Sequence, residues 1–412
     1  MPPIRFIHAA DLHLDAAFSG LSRDIPADFA ERLRTATFTA FRRLLDLCER
    51  ESPDFLLLAG DVYNQEDASV SAQLALRDGF RRLESLSIPV FLVHGNHDPL
   101  ASRLRSVRWP GNVTVFGELP DAVPVFRKGE GTPFAIIHGA SHASGRETRN
   151  LAALFRRTEA YGLHVGLLHA TPGDADGVAR YAPFSQEDLK ASGMDYWALG
   201  HIHDRREVCR EPLAAYPGCT QGLHINEPGE KGCLLVTAEA RPDGGYAVRT
   251  SFRPLGPAVW KTLDMDLGGA ASLDELENLV RTGLDRAAAE VWSGCEMLLV
   301  RLRLQGRTEL DGLLRKGTTC AELADRLRED GSGVPRIWIK DIDVATRPCV
   351  ERGALLERED LLGEVFRLSE AARTASGLQA LREGPLAPLF AHARAGKALE
   401  PLTDEELARL LD

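Results

Sequence analysis

The sequence predicts an α/β layered core, followed by a small α+β unit and a helical tail. Three observations carry this. Early in the chain, apolar runs of strand length alternate with stretches of helical periodicity, the pattern of layered α/β domains. Five strand-like runs break off into histidine, aspartate, asparagine and glycine, which is costly inside a core and cheap at a site. Prolines and a glycine then fall together at Pro254-Leu255-Gly256-Pro257, and the pattern changes beyond them.

The first strand is expected over Arg5–Ala10, and a helix over roughly Asp28–Glu51, where Phe38, Phe41, Leu44, Leu45 and Cys48 recur at helical spacing. Pro53 ends it before a strand at Phe55–Ala59. A second helix, about Ala68–Leu86, carries Leu74, Leu76, Phe80 and Leu83, and Pro89 precedes the strand Val90–Val93. From Asn112 the strands lose their helices: Val113–Phe116, Val123–Phe126 and Phe134–Ile137 read as shorter, partly antiparallel strands. Arg146–Tyr161 reads as a helix, basic on one side through Arg146, Arg149, Arg156 and Arg157. Strands follow at Val165–Leu168 and Tyr196–Leu199, and 207–253 reads as short strands joined by turns. Beyond the break, strands at Trp260–Leu267, Met297–Leu304 and Arg336–Val344 alternate with helices at Leu273–Glu290 and Thr318–Arg328. After Pro348 the chain is helical, with an apolar stripe of Leu361, Leu362, Val365, Phe366 and Leu368. A capping box, Thr403-x-x-Glu406, opens a last helix carrying Leu407, Leu410 and Leu411. The expected units are 1–255, 256–346 and 347–412.

With 412 residues, 44% hydrophobic and 26% charged, the composition is that of a globular protein of two or three domains. No apolar run reaches the length of a membrane span, and no signal peptide is visible. The seven cysteines are odd in number and scattered without CxxC pairs; they read as reduced thiols, and the expected location is cytoplasmic. A net charge of −11 argues against coating nucleic acid through bulk charge, while leaving room for a local basic patch.

Eleven of the twelve histidines lie at or before His224, which places the chemistry in the first half. The strand ends deliver Asp11 and His13; Gly60-Asp61; His94-Gly95-Asn96-His97-Asp98; His169; and Gly200-His201-Ile202-His203. Singly, each motif is common, since Gly-Asp also marks ordinary turns. Five in order, each after a strand, are the signature of one composite site. His8 and His94 read as core or supporting groups, His164 as a surface residue and His392 as part of the remote tail; His138, His142 and His224 stay open.

These motifs match the calcineurin-like metallophosphoesterases in order and content. More closely, the chain resembles the Mre11/SbcD group of DNA repair nucleases, above all the bacterial YhaO-type family. Ala10-Asp11-Leu12-His13-Leu14-Asp15, Tyr216-Pro217-Gly218-Cys219-Thr220-Gln221-Gly222 and His224-Ile225-Asn226-Glu227-Pro228-Gly229-Glu230-Lys231-Gly232 carry that closer likeness. It is strong over about residues 1–255 and thin beyond.

The resemblance implies a four-layer α/β/β/α metallophosphoesterase sandwich with a small α+β capping domain that selects DNA shape. It also implies two divalent metal ions, usually Mn2+ (with Fe or Zn as alternatives). Asp11, His13, Asp61 and His203 would hold one, and Asp61, Asn96, His169 and His201 the other, with Asp61 bridging. Mixed imidazole, carboxylate and amide donors suit those metals better than magnesium or calcium. His97, not a ligand, would face the scissile phosphate, with Asp98 hydrogen-bonded to it. The implied activity is exonuclease action on DNA, 3′ to 5′, with endonuclease action on single strands. A hydroxide activated by the two metals would attack the phosphodiester. Arg103, Arg105, Arg108, Arg146 and Arg149 are the candidates for phosphate contact, each equally readable as part of a solvated face. The helical tail matches the place where relatives bind an SMC/Rad50-like ATPase, and relatives are often homodimers.

Two other readings compete. A cyclic-nucleotide phosphodiesterase or phosphoprotein phosphatase would share the metal site, but needs neither the insertion nor the C-terminal segments. A non-catalytic scaffold for an ATPase would not need a full ligand set together with His97 and Asp98.

Overall fold

The computed structural model describes residues 2–21, 25–64, 69–102, 107–173, 180–242, 244–329, 333–349 and 352–392, together with Thr403 and Glu406. In chain order the strands are β1 (Ile4–Ala9), β2 (Phe55–Ala59), β3 (Val90–Val93), β4 (Val113–Val115), β5 (Asp121–Val125), β6 (Ala135–Ala140), β7 (Leu163–His169) and β8 (Tyr196–Gly200). Then come β9 (Arg206–Arg210), β10 (Leu213–Tyr216), β11 (Gly232–Ala240), β12 (Tyr246–Pro254), β13 (Ala258–Asp266), β14 (Met297–Thr308) and β15 (Arg336–Pro348). The helices are α1 (Ala27–Arg34), α2 (Ala36–Glu51), α3 (Val70–Ser85), α4 (Gln186–Ala191), α5 (Leu273–Glu290), α6 (Asp311–Leu314) and α7 (Thr319–Glu329). Four more, α8 (Arg352–Leu356), α9 (Leu361–Ala372), α10 (Ala375–Glu383) and α11 (Ala387–Phe390), form the tail.

Two six-stranded sheets, ordered β12-β11-β1-β2-β3-β4 and β5-β6-β7-β8-β10-β9, pack face to face. β2 shows why its sequence is an unbroken apolar run. Phe55, Leu57 and Ala59 enter the core between the sheets, whereas Leu56 and Leu58 face the core under α2 and α3. β1 splits likewise, Phe6 inward and Ile7 outward, and Phe6 stacks on Phe55 at 4.7 Å. On the far face of the second sheet, Trp197 and Leu199 meet Leu189 of α4 and Phe155. The layers are therefore α/β/β/α, the fourth thin. A third, parallel sheet, β13-β14-β15, is covered by α5 and α7 and joins the first unit through Phe29, Ile225, Trp260 and Trp338.

The structure departs from the sequence reading in several places. The helix expected over 28–51 is two helices, because Thr35 leaves helical geometry (φ −97°, ψ 3°) and its hydroxyl donates to the Glu31 carbonyl at 3.1 Å, closing α1. The helix expected over 146–161 is absent except for a 3-10 turn at Ala152–Leu154. The chain leaves that turn at Phe155 in extended backbone (φ −70°, ψ 136°), with Leu151, Ala152 and Phe155 buried against the sheet. The strands expected to be partly antiparallel are so: β4 is parallel to β3, while β5 runs antiparallel to β6. β11 and β12 form one long hairpin rather than short strands. His164, read as a surface residue, is buried in β7, where it bonds His138 (2.9 Å) and the Ala160 carbonyl (2.9 Å). Thr403 and Glu406 do form the reciprocal capping box, while Leu407, Leu410 and Leu411 lie outside the described residues. All seven cysteines are free thiols.

Candidate metal centre

β1, β2 and β3 are mutually parallel, as are β7 and β8, so the five motif-bearing loops leave the carboxyl edge of the two sheets side by side. The loops are locked to one another by backbone bonds: Asp11 N–H donates to the Gly60 carbonyl and His13 N–H to the Asp61 carbonyl, both at 3.1 Å. Asp11, His13, Asp61 and His201 all have left-handed backbones (φ 51°, 41°, 50° and 104°). Such conformations cost roughly 1–3 kcal/mol each and persist only where the surroundings impose them.

Two clusters result, Asp11/His13/His203 and Asp61/His169/His201, their donor atoms within 4.8 Å of one another in each. Asp61 stands between them, with Oδ2 3.2 Å from His169 Nε2 and 4.0 Å from His13 Nε2. Asn96 Oδ1 lies 3.1 Å from His169 Nε2, which adds the amide to the second cluster. His169 Nδ1–H donates to the Ala59 carbonyl (2.8 Å) and His203 Nδ1–H to Glu227 Oε1 (2.6 Å), so both rings turn Nε2 inward. The His13 and His203 Nε2 atoms face each other at 3.1 Å.

The electrostatics follow from burial and from this crowding. Burial pushes the Asp11 carboxyl up to about 6, opposed by the His169 and His203 charges. Burial also acts on Asp61, but the adjoining His169 overrides it and holds the carboxyl well below the usual range. His169 is in turn raised to about 9: burial opposes its charge, and Asp61 more than offsets that. His13 is lowered to about 4 by burial and so is neutral, the form that binds metal. The buried His13 Nδ1 has no hydrogen-bond partner. Buried carboxylates, imidazoles and an amide converging on one bowl fit two divalent cations.

His97 is exposed, its ring 5.1 Å from that of His13; its N–H donates to Asp61 Oδ1 (2.9 Å) and its Nδ1 lies 2.8 Å from the Asn64 carbonyl. Asp98 does not hold His97, contrary to expectation. Its carboxylate accepts from the N–H groups of Val62 (3.0 Å) and Gly95 (2.8 Å) and faces His94 Nδ1 at 3.4 Å, so it fixes the loop rather than the ring.

The expected basic helix face is likewise corrected. Arg149 is engaged by Glu147 (2.7 Å), Arg157 by Asp195 (3.0 Å), and Arg156 by backbone carbonyls. Arg108 and Arg146 are exposed, and Arg103 and Arg105 lie outside the described residues. Sequence reasoning gave no role to Glu227, Lys231, His142 or Tyr181. His142 bonds the His169 carbonyl (2.6 Å), and the Tyr181 ring lies 5.2 Å from that of His201. For Glu227 and Lys231 the available signal was their place inside the 224–232 motif.

Fold and site together define a calcineurin-like metallophosphoesterase. The family model for calcineurin-like phosphoesterases matches residues 4–205, and that for the middle domain of metallophosphoesterase YhaO matches 260–347. Metallophosphoesterase YhaO of Bacillus subtilis (strain 168) is 34% identical over 388 residues, covering 93% of this chain and 91% of its own. The chain belongs to the YhaO family of metallophosphoesterases. The DNA double-strand break repair protein Mre11 of Aeropyrum pernix is 26% identical over 313 residues, 71% of this chain and 69% of its own. Among solved structures, a 5′-nucleotidase of Staphylococcus aureus superposes at a TM-score of 0.37 and 12% identity, over 69% of this chain and 58% of its own. The metallophosphoesterase fold uses two divalent metals, in keeping with the two clusters. Among the described residues no helix is long and apolar enough to cross a membrane.

Proposed function

We propose that this chain is a metal-dependent DNA exonuclease of DNA repair, removing nucleotides 3′ to 5′ with two Mn2+ ions and cutting single strands internally. One observation carries the reading: Asp61 stands between two buried donor clusters while His97, bonded to it through the backbone, presents an exposed imidazole beside them. Asp11, His13, Asp61 and His203 would hold one cation, and Asp61, Asn96, His169 and His201 the other. Such a pair supplies charge to clamp a phosphate and a means of making water nucleophilic near neutral pH. With Nδ1–H given to the Asn64 carbonyl, Nε2 is the His97 nitrogen left for the phosphate; in the doubly protonated ring its Nε2–H would pass to the leaving 3′ oxygen, leaving the neutral Nδ1–H imidazole. Asp98 keeps this loop in place. Arg103, Arg105, Arg108, Arg146 and Arg149 stay the candidates for phosphate contact; of these Arg108 and Arg146 are exposed, and Arg149 is ion-paired with Glu147.

The units 1–255, 256–346 and 347–412 then divide into catalysis, DNA selection and partner binding. For the last, Leu361, Leu362, Val365 and Leu368 are 50–80% exposed on α9, a surface suited to the coiled coil of an SMC/Rad50-like ATPase. Homodimerisation and a cytoplasmic location complete the reading, the latter supported by seven free thiols. The test is digestion of end-labelled duplex DNA and of bis-p-nitrophenyl phosphate with Mn2+, against chelator and His97→Ala controls. Metal-dependent loss of nucleotides, abolished by His97→Ala, is expected. Cleavage of the small diester with DNA untouched, even with the ATPase added, would favour a different phosphoesterase.

A further inference from the structure

The segment from Gly218 to Lys231 belongs to a motif that the reaction above does not use, yet it encloses His203. Three of its groups grip that residue. Glu227 Oε1 accepts the ring Nδ1–H at 2.6 Å, and Lys231 Nζ and Cys219 N–H donate to the His203 carbonyl at 3.1 and 3.2 Å. The approach is so close at Gly218, itself left-handed (φ 82°), that a Cβ there would lie 2.7 Å from the His203 carbonyl oxygen. The Glu227 carboxylate cannot swing away, because its second oxygen accepts Leu223 N–H at 2.7 Å. Its own N–H closes a turn onto the His224 carbonyl (2.8 Å), and Ile225, inside that turn, is buried with Trp260 and Trp338 beneath the third sheet. The motif is a brace seated on β13, with Trp260 Nε1–H bonded to the Gly222 carbonyl at 3.0 Å.

We infer that Glu227 is a positioning residue that fixes the Nδ1–H tautomer of His203, so that Nε2 is presented to the cation shared with Asp11 and His13. This rests on the metal-site reading above. A carboxylate on the outer nitrogen sets the ring's tautomer and orientation and raises the basicity of the inner one. Glutamine is the informative replacement. At position 227 two donors, His203 Nδ1–H and Leu223 N–H, meet two oxygens. Gln has one oxygen and one NH2, so it keeps a single bond and sets its own donor against the other, favouring the tautomer with the proton on Nε2.

The experiment uses the full chain with Mn2+ as probe. Calorimetric titration of Glu227→Gln is expected to show one of two sites weakened about 10- to 100-fold, with the metal-free melting temperature within about 2 °C of the parent. Selective 15N-histidine spectra of the zinc-loaded parent are expected to show the His203 proton on Nδ1, the signal being assigned by its loss in His203→Gln. If His203→Ala weakens one Mn2+ site while Glu227→Gln matches the parent, the Glu227 inference is overturned and the site reading stands. If His203→Ala also leaves both sites intact, the metal-site reading itself fails. Should Glu227→Gln not fold, the parent spectrum decides alone: a His203 proton on Nε2, or metal on Nδ1, overturns the inference.

Discussion

Gly95→Ala is a test of whether the two clusters are a metal site rather than a buried polar network. Gly95 has no left-handed backbone, so alanine brings no backbone strain, and a smaller unfolded ensemble favours it by about 0.4–1 kcal/mol. The obstacle is local: a Cβ there lies 2.2 Å from Asp61 Oδ1 and 2.8 Å from His169 Nε2. Asp61 must retreat by roughly 1 Å to reach ordinary contact. Metal coordination tolerates only about 0.2 Å, and Asp61 adjoins both clusters, so both sites should weaken by at least 100-fold or so. The cost to the metal-free fold is smaller, about 1–3 kcal/mol for overpacking and for loosening the His97 N–H bond to Asp61. The assay is thermal unfolding with and without Mn2+. At 100 times the parental Kd one bound ion stabilises by about 2.7 kcal/mol; a hundredfold loss reduces this to about 0.4 kcal/mol. Gly117→Ala, with nothing within 4 Å of its Cβ, is the control. A variant that keeps the full Mn2+ shift refutes the assignment of Asp61 as shared ligand; one that collapses without metal refutes the claim that the clash is local.

His97→Ala should leave Mn2+ binding intact, because the N–H that bonds Asp61 is retained, while DNA turnover falls about 10²- to 10⁴-fold; Asp61→Asn should lose both, as calorimetry beside end-labelled digestion would show. Acid stability should depend on His8, which donates from Nε2 to the Leu199 carbonyl (3.2 Å) and accepts from the Tyr196 hydroxyl (2.9 Å), tying the two sheets. Burial lowers it to about 3 from 6.5, so the unfolded chain takes up this proton first: its stabilisation is complete above about pH 6.5 and falls by about 1.4 kcal/mol per unit toward pH 3. Urea melts of His8→Gln should therefore decline less steeply below pH 6.5, and identical slopes would count against it. Val365→Ser on α9, 53% exposed, should change stability by no more than about 0.5 kcal/mol while reducing capture of a coiled-coil ATPase; a large loss of stability would show instead that the stripe packs on its own chain.

What made the site legible was the contrast at strand ends. Val90–Val93 is wholly buried and is followed at once by His94-Gly95-Asn96-His97-Asp98, and only a composite site rewards that sequence of apolar and polar groups. Burial on both faces likewise made β2 readable as a continuous apolar run. The failures turn on side-chain pairings that residue order does not reveal, whether the partner is near or far along the chain. The arginines of 146–157 look like a stripe until Glu147 and Asp195 are found beside Arg149 and Arg157. His164 looks exposed until His138, on the neighbouring strand, is seen to take its Nδ1.

Asp98 shows the same limit inside the motif. Adjacency to His97 suggested a pair, but a side chain just past a strand end can turn back, and this one meets the N–H groups of Val62 and Gly95. Those are donors on the β2 and β3 loops, the two that carry Asp61 and Asn96. The carboxylate therefore sets the spacing between ligand-bearing loops, while His97 takes its orientation from the Asn64 carbonyl. By that reasoning Asp98→Asn, which replaces one acceptor with a donor facing an N–H, should loosen both metal clusters before it alters His97. A variant with full Mn2+ affinity and an impaired reaction would restore the pair that the sequence suggested.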